Sequence, residues 1–293
     1  MKTSTPVLPP FLLLDRLLEN WLLEDIGRGD RAAQSLFAAH PQPQQAYWKV
    51  KESGTIAGLP IAARVFQLLD DRVTFTPTLE EGEWCDIPTD SGQIAQISGP
   101  GEALLMGERV ALNLVMRLSG IATATRKYVE KIADLPTQLV DTRKTTPGLR
   151  LLEKYASQVG GAINHRMGLD DAVMVKDNYI AAAGGIAEAI ARIRRVMPYP
   201  LTIEVEAETL EQVDLALQQG VDIIMLDNMP LELMRQAVTQ IRQQSDRIKI
   251  EASGNITLET IRDVAQTGVD YISTSAPITR SHWLDLSMKW IIE

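Results

Sequence analysis

Residues 201–228 read LTIEVEAETLEQVDLALQQGVDIIMLDN and contain one complete strand, helix and strand. A β-branched apolar run at 201–205 leads into a segment with helical spacing. Gly220 stands where that helix should stop, and a second apolar run fills 222–226. Outward in both directions the pattern repeats, with similar runs at 138–141, 172–176, 249–252 and 271–274, each followed by a helix-like segment except the last. Thr146 and Pro147 offer an N-cap and a proline at the first helical position, Thr257-Leu258-Glu259 opens another helix, and Gly268 marks a stop. Six such units predict a parallel sheet with right-handed crossovers, either doubly wound or a barrel.

The N-terminal half is less regular. Leu13, Leu14, Leu17, Leu18, Trp21 and Leu22 are spaced for one buried helical face, and Glu24 to Asp30, with two glycines, reads as a solvated turn. Short strand-like runs at 48–50, 54–58, 73–75 and 94–98 surround a helix at about 59–70, which predicts an α+β domain. A long apolar-periodic stretch at 103–133 leads into the second half. The expected domains are 1–116 and 117–278, with the tail 279–293 packing back on the first.

Composition narrows the function. A net charge of −9, from 29 Lys+Arg against 38 Asp+Glu, argues against a generic nucleic-acid binder. Cys85 is the sole cysteine and only 3 His are present, so no intrachain disulfide forms and a transition-metal site is not expected. No apolar run has signal-peptide or membrane-spanning length, so a soluble cytoplasmic protein is expected. Neither a Walker A sequence nor a G-x-G-x-x-G turn occurs.

Polar residues fall at the carboxyl ends of the six strands, where βα loops of parallel folds build active sites. Arg143, Lys144, His165, Arg166 and Lys176 concentrate positive charge in an acidic chain. The Arg fork suits carboxylates and the Lys point charge suits phosphate, which together fit a small polyanion. Glu204 and Asp227 can receive sugar hydroxyls or hold Mg²⁺ beside a ligand's phosphates. Ser253-Gly254-Asn255, opening a helix near Thr257, and the Ser273-Thr274-Ser275 segment have the composition of a phosphate cradle.

Asp141 to Arg150 (D-T-R-K-T-T-P-G-L-R), Asn164-His165-Arg166 and Lys176-Asp177-Asn178 resemble, in that order, the quinolinate phosphoribosyltransferase family. Glu108 to Asn113, Leu226-Asp227-Asn228 and Glu251 to Gly254 extend the likeness to nearly the whole chain. The resemblance implies an N-terminal α+β sandwich-like domain, a C-terminal incomplete, six-stranded α/β barrel, and a homodimer with shared active sites. It also implies transfer of phosphoribosyl from phosphoribosyl pyrophosphate to quinolinate with decarboxylation, in NAD biosynthesis and with Mg²⁺.

By motif, Arg143, His165, Arg166 and Lys176 would hold quinolinate, with Arg109 reaching in from the neighbouring subunit. Lys144, Glu204 and Asp227 are the implied catalytic residues, the two carboxylates also serving Mg²⁺ largely through the substrate. Ser253, Gly254, Asn255, Ser273, Thr274, Ser275 and Ala276 would cradle the phosphate. The chain departs from the family at Asn255, where a second glycine is frequent, at Tyr179, and in a 272–281 segment one residue longer. Two other readings compete. One is a transferase on the same scaffold with another acceptor, of the nicotinate type or encoded with molybdate transport systems. The other is a non-catalytic phosphometabolite-binding module.

Overall fold

The structure is a computed structural model that describes residues 5–37, 43–87 and 91–291. The extreme ends of the expected first domain and tail, 1–4 and 292–293, lie outside these residues. Two compact units form. The second comprises Lys127–Arg150 and Gly161–Thr279; the first comprises the described residues through Arg126, Leu151–Gly160, and those from Arg280 on.

In the first unit, α1 (Phe11–Ile26) buries Leu14, Leu18 and Leu22 at four-residue spacing and leaves Leu12, Leu13 and Leu23 exposed. It runs through Glu24 and Asp25, so the expected turn begins only at Gly27, with φ +55°. Helix α2 (Arg31–Phe37) was not legible as apolar periodicity; Asp30 caps it by accepting N–H bonds from Ala32 and Ala33. Next come β1 (Pro43–Val50), β2 (Gly54–Thr55), α3 (Leu59–Leu69), β3 (Thr74–Pro77), β4 (Trp84–Cys85), β5 (Gln93–Pro100) and the long α4 (Gly101–Lys131). An antiparallel sheet has the order Leu286–Trp290, β1, β5, β3, so a strand near the C-terminus pairs with β1. Trp48, Phe66 and Phe75 form its aromatic core, with ring centroids 5.2 to 6.2 Å apart.

Helix α5 (Arg150–Val159) belongs to the first unit from Leu151, and the second unit carries β6 (Gln138–Val140), β7 (Val173–Val175), α6 (Asp177–Ala183), α7 (Ile186–Arg194) and β8 (Ile203–Ala207). It continues through α8 (Leu210–Gln218), β9 (Ile223–Asp227), α9 (Leu231–Gln244), β10 (Lys249–Ser253), α10 (Ile261–Ala265), β11 (Tyr271–Ser273) and α11 (Ala276–Thr279). All six strands are parallel, in the order β6-β11-β10-β9-β8-β7. The first strand therefore neighbours the last, as in a barrel, while β6 and β7 remain unjoined edges. That arrangement is the incomplete six-stranded barrel. Fully buried Val205, Ile224, Leu226, Ile250 and Ile272 fill its core. Gly220 and Gly268 adopt φ +57° and +94° at the stops read from sequence.

Three local readings are corrected. Helix α5 starts at Arg150 rather than Pro147, because Thr145 N–H bonds to the Arg143 carbonyl, Leu149 N–H to that of Thr146, and Gly148 turns with φ +83°. Helix α10 starts at Ile261, since Thr257 N–H is satisfied by the Thr260 hydroxyl (3.0 Å) in a preceding turn. The last strand is also followed by a helix, the four-residue α11. Among the described residues, no helix is long and apolar enough to cross a membrane.

Ile250 is fully buried on the central part of the parallel sheet. Ile250→Ala is expected to lower unfolding free energy by about 3 kcal/mol, cavity included. Chemical denaturation followed by circular dichroism measures it, and a loss below about 1 kcal/mol would mean that the core repacks freely at this layer.

Candidate active site

The site begins with a buried carboxylate. Asp141, directly after β6, is 2% exposed. It accepts bonds from the Asn164 amide (2.6 Å) and the His165 backbone N–H (2.8 Å). Ile163 pairs alongside Val140 in the same stretch. These bonds seat the Asn164-His165-Arg166 segment at the end of β6, beside the loop that carries Arg143 and Lys144.

Arg143, Lys144, His165, Arg166, Lys176, Ser253 and Ser273 all line one hollow of ≈ 240 Å³ in the second unit, with Thr142, Met174, Met225 and Glu251. Arg166 is anchored through Nη1 to the Ala172 carbonyl (2.9 Å). Burial, and after it the neighbouring charge of Arg143, lower its pKa, yet a guanidinium remains cationic at any working pH. Lys176 Nζ lies 3.1 Å from Glu206 Oε2.

Beneath the cations lie two glutamates. His165 Nε2 is 3.2 Å from Glu204 Oε2 and 3.4 Å from Glu251 Oε2, and both glutamates are nearly inaccessible. Burial opposes charge on the ring, but hydrogen bonds to Glu204 and Glu251 outweigh it and push the His165 pKa up to about 10. Nε2 carries the proton that faces the two glutamates in either charge state, and only in the neutral ring does Nδ1 accept from the Arg166 N–H (2.7 Å). The three groups could surround a cation, but with that proton in place they form a hydrogen-bonded cluster.

Glu204 is thus not the rim carboxylate that the sequence reading made it. Strand alternation turns residues 204 and 206 to one face, and Glu204 sits deeper, held by His165. Glu206 is the group that meets Asp227. Burial, and after Lys176 the proximity of Asp227, act on its carboxyl, whose pKa is raised overall. Two adjacent carboxylates at the barrel mouth are a hard-oxygen donor set of the kind Mg²⁺ takes.

Beside Asp227, its in-register neighbour Ser253 ends β10, and Gly254 has φ +105°. A Cβ there would meet the Asn228 side-chain amide and lie 2.8 Å from the Asn228 nitrogen. Asn255, the departure from the family pattern, adopts φ +50°, a left-handed backbone that asparagine tolerates better than most residues. The loop path therefore survives the exchange. Thr274 spends its hydroxyl on the Ile256 carbonyl (3.2 Å), and Ser275 offers its carbonyl to Ile278 and Thr279; Ala276 opens α11. The helix expected to open near Thr257 begins only at Ile261 and has five residues, so the 253–255 loop does not lead directly into a helix N-terminus.

Arg109 belongs to the first unit. On α4 it lines a separate hollow of ≈ 260 Å³ with Trp21, Glu24, Asp25 and Asn113. Its guanidinium is largely exposed, with Glu108 3.9 Å away.

A half-closed parallel barrel with a cationic pocket, a carboxylate pair and a Ser-Gly loop at the carboxyl ends of its strands defines a class: enzymes of phosphorylated, anionic small molecules. The comparisons make the class specific. Residues 30–119 match the model of the quinolinate phosphoribosyl transferase N-terminal domain, and 121–289 that of its C-terminal domain. A Synechocystis sp. protein described as a probable nicotinate-nucleotide pyrophosphorylase [carboxylating] is 59% identical over 96% of this chain and 94% of its own. The human nicotinate-nucleotide pyrophosphorylase [carboxylating] is 38% identical over 97% and 93%. The crystal structure of NadC from Streptococcus pyogenes superposes with TM-score 0.90 at 42% identity, over 99% of this chain and 100% of that one. This chain belongs to the quinolinate phosphoribosyltransferase family.

The His165 pKa, raised from 6.5, links the site to stability. A raised histidine contributes fully below its ordinary value and loses the contribution as pH rises through about 10. His165 is expected to show no NMR titration between about pH 6 and 8. A midpoint near 6.5 would remove the glutamate cluster from the account.

Proposed function

We propose that the chain transfers the phosphoribosyl group of phosphoribosyl pyrophosphate to quinolinate with decarboxylation, yielding nicotinate mononucleotide, pyrophosphate and CO₂ for NAD biosynthesis. The observation that carries this reading is the convergence of Arg143, His165, Arg166 and Lys176 on one hollow in a chain of net charge −9. A pyridine dicarboxylate needs several fixed cations, and fewer would serve a monocarboxylate.

In this reading the cations hold the two carboxylates and present the ring nitrogen to the anomeric carbon, so positioning supplies much of the rate. Lys144, exposed at the hollow's edge, faces the departing pyrophosphate and stabilises its charge. Glu206 and Asp227, rather than Glu204, would bind ribose hydroxyls and Mg²⁺; the bound ion supplies charge neutralisation on the diphosphate. Ser253, Gly254 and Ser273 would receive the 5′-phosphate, with Asn255, Thr274, Ser275 and Ala276 shaping the walls. In decarboxylation the bond from the ring to the carboxylate beside the nitrogen breaks, CO₂ leaves, and the electron pair left on that carbon, stabilised by the positive nitrogen, takes a proton from water.

A homodimer belongs to this reading. The exposed Arg109 and the apolar Leu12, Leu13 and Leu23 on α1 support a second copy docking there and lending Arg109 of the partner subunit to the site. A cytoplasmic location is supported by the cysteine content, one residue, so that the fold relies on no intrachain disulfide.

Product formation from quinolinate, with nicotinate as parallel acceptor, tests the activity. Quinolinate alone should react, and reaction with nicotinate only would replace the acceptor. Arg143→Ala and Arg166→Ala should each lower kcat/KM for quinolinate by at least about 100-fold with the fold intact, as expected for a lost charge-assisted pair. Mixing inactive Arg109→Ala and Arg143→Ala proteins under subunit exchange should restore about a quarter of wild-type activity, because half the dimers are mixed and each holds one intact site. No recovery despite confirmed exchange would confine Arg109 to its own subunit.

A further inference from the structure

The carboxylate pair and the phosphate loop stand on strands whose adjacent ends pair in register at Asp227 and Ser253, and beyond that ladder one side chain links them. Asn228 follows Asp227 at the end of β9 and holds φ +51°, a left-handed backbone conformation that costs any residue but glycine. Its amide Nδ2 donates to Asp227 Oδ2 at 2.6 Å. Its Oδ1 accepts from Asn255 Nδ2 at 3.3 Å, and its backbone N–H donates to the Ser253 carbonyl at 2.9 Å. Gly254 passes so close that a Cβ would run into the same amide.

We propose that Asn228 is a positioning residue that holds Asp227 and the 253–255 loop in register, so that the sugar end and the phosphate end of one phosphoribosyl ligand are met together. This rests on the function proposed above. The amide has the right chemistry for the task, with one end donating to a carboxylate and the other accepting from the loop, and an Asp could not do both. An aspartate at 228 would set a second anion against Asp227, and a glycine would keep the backbone while deleting both bonds. Asn255 contributes the outer half of the link, which gives its departure from glycine a use. Quinolinate is held by Arg143, His165, Arg166 and Lys176, none of which is a hydrogen-bond partner of Asn228.

The test compares wild type, N228G, N228D and N255G in thermal melting, in calorimetric binding of phosphoribosyl pyrophosphate with Mg²⁺ and of quinolinate, and in steady-state kinetics. Glycine suits φ +51°, so N228G should melt close to wild type. Its Kd and KM for phosphoribosyl pyrophosphate should rise about 10-fold, as for loss of a hydrogen bond to a charged group, with quinolinate binding within about 2-fold. N228D should lose more and N255G less. Unchanged phosphoribosyl pyrophosphate affinity in N228G would overturn the proposal, as would equal weakening of both ligands. Wild-type turnover of quinolinate, measured on the same preparations, tests the functional reading separately from the binding comparison.

Discussion

Asp141 is the group on which the basic pocket depends. Its carboxylate is buried, and its bonds to the Asn164 amide and His165 N–H fasten a strandless segment to the end of β6. The barrel has no strand pairing between β6 and β7, so that segment has little ladder of its own beyond the Val140–Ile163 bridge. Without the carboxylate, His165 and Arg166 would hang from a loop. With it, they face Arg143 across a hollow that an acidic protein otherwise has no reason to make positive.

A second level of order follows from the strands themselves. Side chains two residues apart share a face of β8, so one strand delivers Glu204 to the interior and Glu206 to the mouth. Their partners differ accordingly, His165 for the one and Lys176 with Asp227 for the other. Depth along the strand, not residue type, separates the tasks of these glutamates.

The six parallel strands were legible because buried strands of such sheets are continuous β-branched runs, and the stops at Gly220 and Gly268 need a positive φ that sequence displays. What the sequence concealed was set by short-range polar bonds and by depth within the barrel. Helix α2 depends on a cap from Asp30 over seven residues, too few for a periodic signal. The late starts of α5 and α10 come from local carbonyl and hydroxyl bonds that compete with helix, which propensity does not resolve. At the site, the cations could be grouped from motif order. Glu204 and Glu206 could not be told apart, since E-V-E carries no mark of which end reaches solvent. Glu251 was missed because a buried glutamate beside Ala252 reads as part of a strand.

The stacking of acid beneath base gives the pocket a field whose sign changes with depth. An anion approaching the mouth is drawn inward by Arg143, Arg166 and Lys176, yet below His165 it would meet Glu204 and Glu251. Attraction above and repulsion below define a plane of rest rather than a bottomless well. A flat ligand with negative edges is thus held toward the cationic mouth, and the side chains of Met174, Met225 and the small Ser273 share the lining that it meets by shape.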